Sequence, residues 1–237
     1  MSDARTEILA RIRGALGDVR DEAPRRIPRD YGRGGGLDQE ALAGLLTDRV
    51  RDYAAEAERM SELDVGVAVR AGCLRLGIGR LLVAPGVPGA WWPAAAWEDE
   101  TGAAAEEDER DVAIEEDGGA AEAEEDDGRP AAELDAVDGV LTGCALAIAE
   151  TGTLVLDGRP PCGRRALTLV PDRHICVVRV EQIVERVPEA IAALAPRVAA
   201  GRVPVTFISG SSATSDIELE RVEGVHGPRR LLVLIAG

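Results

Sequence analysis

Apolar residues near the start of the chain recur every three or four positions, which is the spacing of one helix face. The positions that follow this spacing are Ile8, Leu9, Ile12 and Leu16. They predict a first helix that is capped by Ser2 and ends near Gly17. A linker rich in Arg, Pro and Gly follows, so residues 1–36 are expected to form a helical arm. A second amphipathic helix is predicted over residues 37–60.

Short β-branched and aliphatic runs dominate the rest of the chain and are typical of buried strands. The runs at residues 65–69 and 81–85 predict a β–α–β unit. Other apolar runs lie at residues 139–142, 152–156, 166–170, 175–180, 203–209 and 231–235. Helices are predicted over residues 131–137 and 183–194. This alternation favours an α/β protein, a three-layer α/β/α Rossmann-like sandwich with a mainly parallel sheet in one domain over residues 37–237.

The formal net charge of −16 comes almost entirely from one segment. Residues 98–127 contain 16 Asp or Glu and a single Arg, whereas the remaining 27 acidic and 26 basic residues nearly cancel. We interpret residues 98–128 as a solvated, acidic low-complexity insertion, in preference to a docking surface for a basic partner. The negative charge also argues against nucleic acid as a partner.

Composition excludes several kinds of chemistry. All 27 basic residues are Arg, so neither Schiff-base chemistry nor a Walker A lysine is possible. The four cysteines form no Cys-x-x-Cys pair and the two histidines are far apart in sequence, so we expect buried free thiols, no bound metal and no cofactor. The chain shows no signal peptide and no apolar run long enough to span a bilayer, which predicts a cytoplasmic protein.

The most distinctive loop follows the apolar run at residues 203–209. It contains Ser211, Ser212, Thr214, Asp216 and Glu218. Its hydroxyl groups and backbone amides could bind a carboxylate or a phosphate, because ligands of open α/β sheets bind beyond the carboxyl ends of strands. A tight turn followed by an ordinary helix cap explains the same residues.

Two other segments could carry chemistry. His226 and Gly227 stand before Arg229, so an imidazole that could act as acid or base lies beside a guanidinium that could clamp a carboxylate. A lone His in a Gly-Pro loop is more often structural. Glu150, Thr151 and Gly152 place a carboxylate and a hydroxyl at a strand junction, where Glu150 could be a base or nucleophile. Glu150 could equally pair with Arg164 or Arg165.

Taken together, these segments resemble the LUD-domain lactate-utilization protein C family. The resemblance covers nearly the whole chain, in the family's order. Its residues are Ile27-Pro28-Arg29-Asp30-Tyr31, residues 141–153, residues 163–172, His174, residues 211–218 and Gly224-Val225-His226-Gly227-Pro228. The acidic segment departs from the family because it is longer and more acidic than the usual connection.

The resemblance implies a fold similar to the sugar-phosphate isomerase and CoA-transferase superfamily. It also implies an accessory role in the oxidation of L-lactate to pyruvate, beside two partners that hold the redox centres, one a cysteine-rich oxidoreductase subunit and one an iron–sulfur protein. In that role Arg164, Arg229 or Arg230 could hold the lactate carboxylate, while Glu150, Asp216 and His226 are the candidate catalytic residues.

Two alternatives remain at this stage. One is a stand-alone enzyme or binding protein for a small carboxylate, a sugar phosphate or an acyl-CoA, which rests on fold analogy. The other is a scaffold without a working site.

Overall fold

The computed structural model describes residues 3–17, 27–28, 31–32, 34–93, 121–201, 204–214, 222–224 and 226–237. Its contacts divide the chain into two units, Met1–Gly32 and Arg33–Gly237. The first unit contains helix α1 (Asp3–Leu16), at the position that the apolar spacing predicts. Among the described residues, no helix combines the length and the apolar character that crossing a membrane requires.

A six-stranded parallel sheet forms the centre of the second unit. Its strands, in chain order, are β1 (Glu56–Met60), β2 (Arg80–Val83), β3 (Glu122–Glu125), β4 (Gly139–Gly143), β7 (Arg173–Arg179) and β12 (Arg230–Ala236). Across the sheet the order is β1-β12-β7-β4-β2-β3. Strands β7 and β12 therefore lie inside the sheet, which explains why they are its longest and most apolar runs.

Alternate residues of these two strands face opposite sides of the sheet. On β7, Ile175 and Val177 pack against helix α3 (Val65–Leu76), while Cys176 and Val178 pack on the other side with helix α2 (Gln39–Asp52). Helix α3 buries one face, with its apolar residues at helical spacing. The sheet is thus covered by helices on both sides.

A second, smaller sheet also covers the α2 side. It contains β5 (Leu146–Ile148), β6 (Thr153–Leu156), β8 (Ile183–Val184) and β9 (Thr206–Ile208), in the order β8-β5-β6-β9. Ala147 and Leu154 face the main core, whereas Leu146 and Val155 face helix α5 (Val187–Gly201). The described part is completed by a short helix α4 (Ala131–Leu134) and by a hairpin of β10 (Ala213–Thr214) and β11 (Val222–Glu223).

The predicted α/β class, with a parallel sheet flanked by helices, is confirmed, but four local predictions were wrong. The helix predicted over residues 183–194 begins only at Val187, because residues 183–184 pair with β5 as strand β8. Residues 65–69 begin α3 and do not form a strand, and residues 166–170 lie largely in a 3-10 turn. The second predicted helix ends at Asp52, and the sheet-edge strand β1 follows it. A hydrophobicity pattern does not predict strand β1, because its Glu56 and Glu58 form ion pairs with Arg75 of α3 and do not face an apolar core.

Only residues 121–128 of the acidic segment 98–128 are described, and these are part of the fold. Strand β3 pairs with β2 at the edge of the sheet. Directly after β3, the side chain of Asp126 is only 3% exposed and accepts two hydrogen bonds from Arg164, at 2.7 and 2.8 Å. Asp126 is buried because its partner Arg164, 38 residues away, neutralises it, whereas Glu122, Glu124, Glu125 and Asp127 are exposed. The solvated insertion predicted over residues 98–128 stays a prediction, since most of it lies outside the described residues.

The ion pair between Asp126 and Arg164 should contribute to stability in a pH-dependent way. Arg164 lowers the pKa of the Asp126 carboxyl below its ordinary value. The stabilisation is therefore present above the unfolded-state pKa of about 3.9 and is lost as the pH falls from there through the lowered folded-state pKa. Asp126→Asn should lower the free energy of unfolding at neutral pH by about 2 kcal/mol.

Chemical denaturation between pH 7 and pH 3 measures this difference. The matched control is Glu125→Gln, which changes an exposed carboxylate of the same strand and should alter stability by less than about 0.5 kcal/mol. Equal stability of wild type and Asp126→Asn at neutral pH would contradict the assignment.

Candidate functional site

A cavity of about 210 Å³ lies where the small sheet meets the main sheet. Its walls come from the end of β9 and the loop after it, the turn before β7, the first residues of β7 and β12, and the loop before β12. The lining residues are Arg165, Thr168, His174, Thr206, Phe207, Ile208, Ser209, Gly210, Ser211, Ser212, Ala213, His226, Gly227, Pro228 and Leu231.

This cavity differs in one respect from the expected position. The loop does follow a strand at its carboxyl end, but that strand, β9, belongs to the small sheet, where it pairs antiparallel with β6. Relative to the main sheet the cavity lies at the amino ends, because His174 and Leu231 are each the second residue of their strands. The rule for open parallel sheets therefore does not explain this site.

Positive and hydroxyl groups dominate the polar part of the lining. The chain has only two histidines, and both His174 and His226 line this cavity. Arg165 adds a guanidinium, and its Nη1 donates hydrogen bonds to the hydroxyl of Thr168 at 2.8 Å and to the Thr168 carbonyl at 3.3 Å. None of the described residues that line the cavity carries a carboxylate. This combination suits an anion.

The serine loop, residues 209–212, is held on both sides. Gly210 has φ +84°, and a Cβ at this position would overlap the side chain of Tyr53. Ser212 connects the loop to the segment before β12, because its N–H donates to the Pro228 carbonyl at 2.9 Å and its hydroxyl accepts from the His226 N–H at 3.1 Å. These contacts fix the position of His226 relative to the loop.

His174 forms the inner wall and is 1% exposed. Its Nε2 lies 2.8 Å from the hydroxyl of Thr142, a fully buried residue on the neighbouring strand β4. Parallel pairing places Thr142 opposite Cys176, two residues beyond His174. The imidazole is therefore oriented by the sheet itself and not by a loop.

The four cysteines are buried and free, as the sequence predicts. Burial raises the pKa of Cys73 and of Cys162 to about 12, and a hydrogen bond to Cys176 together with burial raises the pKa of Cys144. Thiols with raised pKa values are poor nucleophiles near neutral pH. Among the described residues, no three His, Cys, Asp or Glu side chains are grouped so that they could hold a metal ion.

The structure brings together some of the predicted site residues and separates others. Those that line the cavity are Ser211, Ser212, His226 and Gly227. Thr214 follows the lining in β10, while Asp216 and Glu218 lie outside the described residues. Glu150 is exposed and does not line the cavity.

The turn that carries Glu150 reaches the cavity only indirectly. The Thr151 hydroxyl contacts the Thr153 hydroxyl at 2.7 Å, and Thr153 contacts the hydroxyl of Ser209 at 2.8 Å. Gly152 has φ +59° and lies against the backbone of Arg49, where no side chain would fit. Thr151 therefore reaches the serine loop through Thr153, whereas Gly152 packs against α2.

Two of the predicted carboxylate-binding arginines already have carboxylate partners. Arg164 is paired with Asp126, and Arg229 donates to both oxygens of Asp172 at 2.6 and 2.9 Å. Arg229 holds the pKa of Asp172 below its ordinary value. Neither Arg164 nor Arg229 lines the cavity.

Arg165 and His174 line the cavity although the sequence does not predict either of them as a site residue. Arg164 and Arg165 are adjacent, and only the direction of each side chain in the 3-10 turn over residues 165–168 distinguishes the paired arginine from the one in the cavity. His174 stands inside an apolar strand without a motif around it. What distinguishes His174 is its contact with the hydroxyl of Thr142, which is 32 residues away in sequence.

Comparison with known proteins places this site in a family. Residues 90–236 match the LUD domain model. The chain belongs to the LUD domain family. This confirms the resemblance read from the sequence. The matched segment contains every residue that lines the cavity.

Relatives of the LUD domain chain include proteins with a functional name. It is 42% identical over 242 residues to Lactate utilization protein C of Deinococcus radiodurans, which covers 100% of this chain and 97% of that protein. It is 34% identical over 108 residues to Lactate utilization protein C of Geobacillus kaustophilus, or 43% of this chain and 45% of that protein. A crystal structure of a DUF162 family protein from Deinococcus radiodurans matches with a TM-score of 0.64 and 33% identity, over 85% of this chain and 99% of that one.

The serine loop should be sensitive to a single methyl group at Gly210. Gly210→Ala adds a Cβ to a residue with positive φ and pushes it against Tyr53, so it should lower the free energy of unfolding by about 1–3 kcal/mol. Gly44→Ala is the matched control. Gly44 lies inside α2 with no atom near its Cβ position, and the same change there should raise stability by about 0.5–1 kcal/mol. Thermal unfolding of the two variants tests this opposite response, and equal shifts would contradict the loop geometry.

Proposed function

We propose that this chain is a cytoplasmic accessory subunit of a system that oxidises L-lactate to pyruvate, and that its cavity binds a small carboxylate. The pathway assignment is supported by the full-length similarity to Lactate utilization protein C of Deinococcus radiodurans. Its partners in this proposal are iron–sulfur lactate-utilization subunits, which carry the electron transfer. The chain itself contributes ligand binding and assembly.

The observation that carries the ligand proposal is the position of Arg165. Arg165 lines a cavity in which no described lining residue carries a carboxylate, and its guanidinium contacts Thr168 there. A guanidinium pairs with a carboxylate through two parallel hydrogen bonds, so an anionic ligand would complete what the lining lacks. Arg164 and Arg229 are less suited to a ligand carboxylate, because they are already paired with Asp126 and Asp172.

The size of the cavity suits a molecule as small as lactate. An apolar cavity of about 150 Å³ accepts benzene, which has as many non-hydrogen atoms as lactate. At about 210 Å³ this cavity has room for such a ligand and a few water molecules. Its serine hydroxyls and backbone amides supply the remaining hydrogen bonds.

A stand-alone enzyme that uses Glu150 as nucleophile is less well supported. Glu150 is exposed on the turn between β5 and β6 and does not line the cavity. Turnover of lactate by the purified chain without partners would nevertheless favour that alternative over the accessory role.

The pathway proposal is tested by oxygen uptake in cells that lack this chain. Uptake driven by L-lactate should fall, uptake on glucose should not, and the wild-type gene should restore the loss. Unchanged uptake on lactate in the deletion strain would contradict the pathway assignment.

The cavity proposal is tested in the same cells and with purified protein. Arg165→Gln should fail to restore lactate-driven uptake and should weaken lactate binding about ten- to a hundredfold, because a hydrogen bond to a charged group contributes roughly 1.5–3 kcal/mol. Arg75→Gln, which removes an exposed arginine paired with Glu56 and Glu58, is the control and should restore uptake fully. Full restoration by Arg165→Gln would contradict the cavity assignment.

A further inference from the structure

We propose that His174 makes the cavity selective for carboxylates with an oxygen on the adjacent carbon, which are 2-hydroxy and 2-oxo acids, and that Thr142 is the positioning residue for this selection. The inference rests on the proposed function in that the carboxylate itself is held by Arg165. It adds a second recognition group on a different element of the fold.

Two of the polar side chains in the lining, Arg165 and His174, come from separate elements. Arg165 lies in the 3-10 turn before β7, whereas His174 lies in β7 itself, at the inner wall. A ligand that contacts Arg165 through its carboxylate and extends inward meets His174. The neighbouring walls are apolar at Ile208 and Leu231, so His174 is the inner-wall side chain that a polar substituent could bind.

Thr142 determines what His174 offers to such a ligand. The Thr142 hydroxyl occupies Nε2 at 2.8 Å, and both residues are at most 1% exposed, so the ring is held by the interior of the protein. Nδ1 is then the nitrogen that a ligand would use. A ligand hydroxyl can donate to Nδ1 or accept from it, and a keto oxygen accepts when Nδ1 carries the proton.

The expected selectivity follows from the cost of an unsatisfied polar group. Propionate has the carboxylate and the carbon chain of lactate but no oxygen on the second carbon. In the cavity it would face the His174 ring and provide no hydrogen bond to it, which costs about ten- to a hundredfold in affinity relative to a ligand that does. Lactate should therefore bind more tightly than propionate by that factor.

The two histidines provide a direct measurement. In the NMR spectrum of the full-length chain with ¹³C-labelled histidine, one ring Cε1–H signal should come from His174 and one from His226. Both signals can be followed during titration with L-lactate, pyruvate or propionate. His174→Phe assigns the signals. Lactate should shift the His174 signal at saturation, and propionate should bind more weakly and shift it less.

Thr142→Val distinguishes positioning from mere packing. This nearly isosteric change should reduce the lactate-over-propionate preference to about threefold or less while the affinity for propionate stays within about twofold, and Thr142→Ser should restore the preference. Thr47→Val is the control, because Thr47 is another buried threonine whose hydroxyl bonds a backbone carbonyl in α2. It should leave the preference unchanged.

Each failure points to a different part of the proposal. Equal affinities of the wild-type chain for lactate and propionate, both weakened by Arg165→Gln, would overturn the role of His174 and leave the carboxylate cavity standing. An unchanged preference in folded Thr142→Val would overturn the positioning role. Failure of all three acids to bind would overturn this inference together with the cavity part of the proposed function, whereas the respiration experiment would still decide the pathway.

Discussion

The burial of β7 and β12 on both faces is the constraint on which the rest of this structure depends. Each strand is buried along nearly its whole length, so each needs cover on two sides. Helix α3 supplies it on one side, and helix α2 with the four-stranded sheet supplies it on the other. The small sheet in turn needs cover for its outer face, which α5 provides. The order of the layers follows because each layer covers an apolar surface that the layer beneath it would otherwise expose to solvent.

The cavity is a consequence of the same packing. Where the small sheet ends at β9, its chain must cross to the amino ends of β7 and β12, and the crossing segments are the serine loop and the loop before β12. Gly210 allows the close approach to Tyr53, and Ser212 connects the two loops. A polar cavity therefore lies beside a rigid parallel sheet, which orients His174 through Thr142 with little freedom to rearrange.

Charge pairing decides which arginines are available to a ligand. Asp126 occupies Arg164 and Asp172 occupies Arg229, whereas the described residues that line the cavity around Arg165 contribute hydroxyl groups and no carboxylate. The acidic segment contributes to this arrangement through its described end, because Asp126 leaves strand β3 directly into the pair with Arg164. Because the basic residues of this chain are all arginine, the carboxylates that lie beside each guanidinium decide whether that guanidinium is available to a ligand.

The sequence by itself determined the α/β class, the strands with strong aliphatic runs such as β12, and the family, because those features are patterns of hydrophobicity and residue type along the chain. It also predicted a site in the serine loop and at His226, which line one cavity in the structure. Tertiary structure alone decided that β1 is an edge strand, that residues 65–69 are helical, and that Arg165 rather than Arg164 lines the cavity. It also decided the pairing of His174 with Thr142. In each of these cases the deciding contact joins residues distant in sequence, such as Asp126 with Arg164, and local propensity contains no record of such a partner.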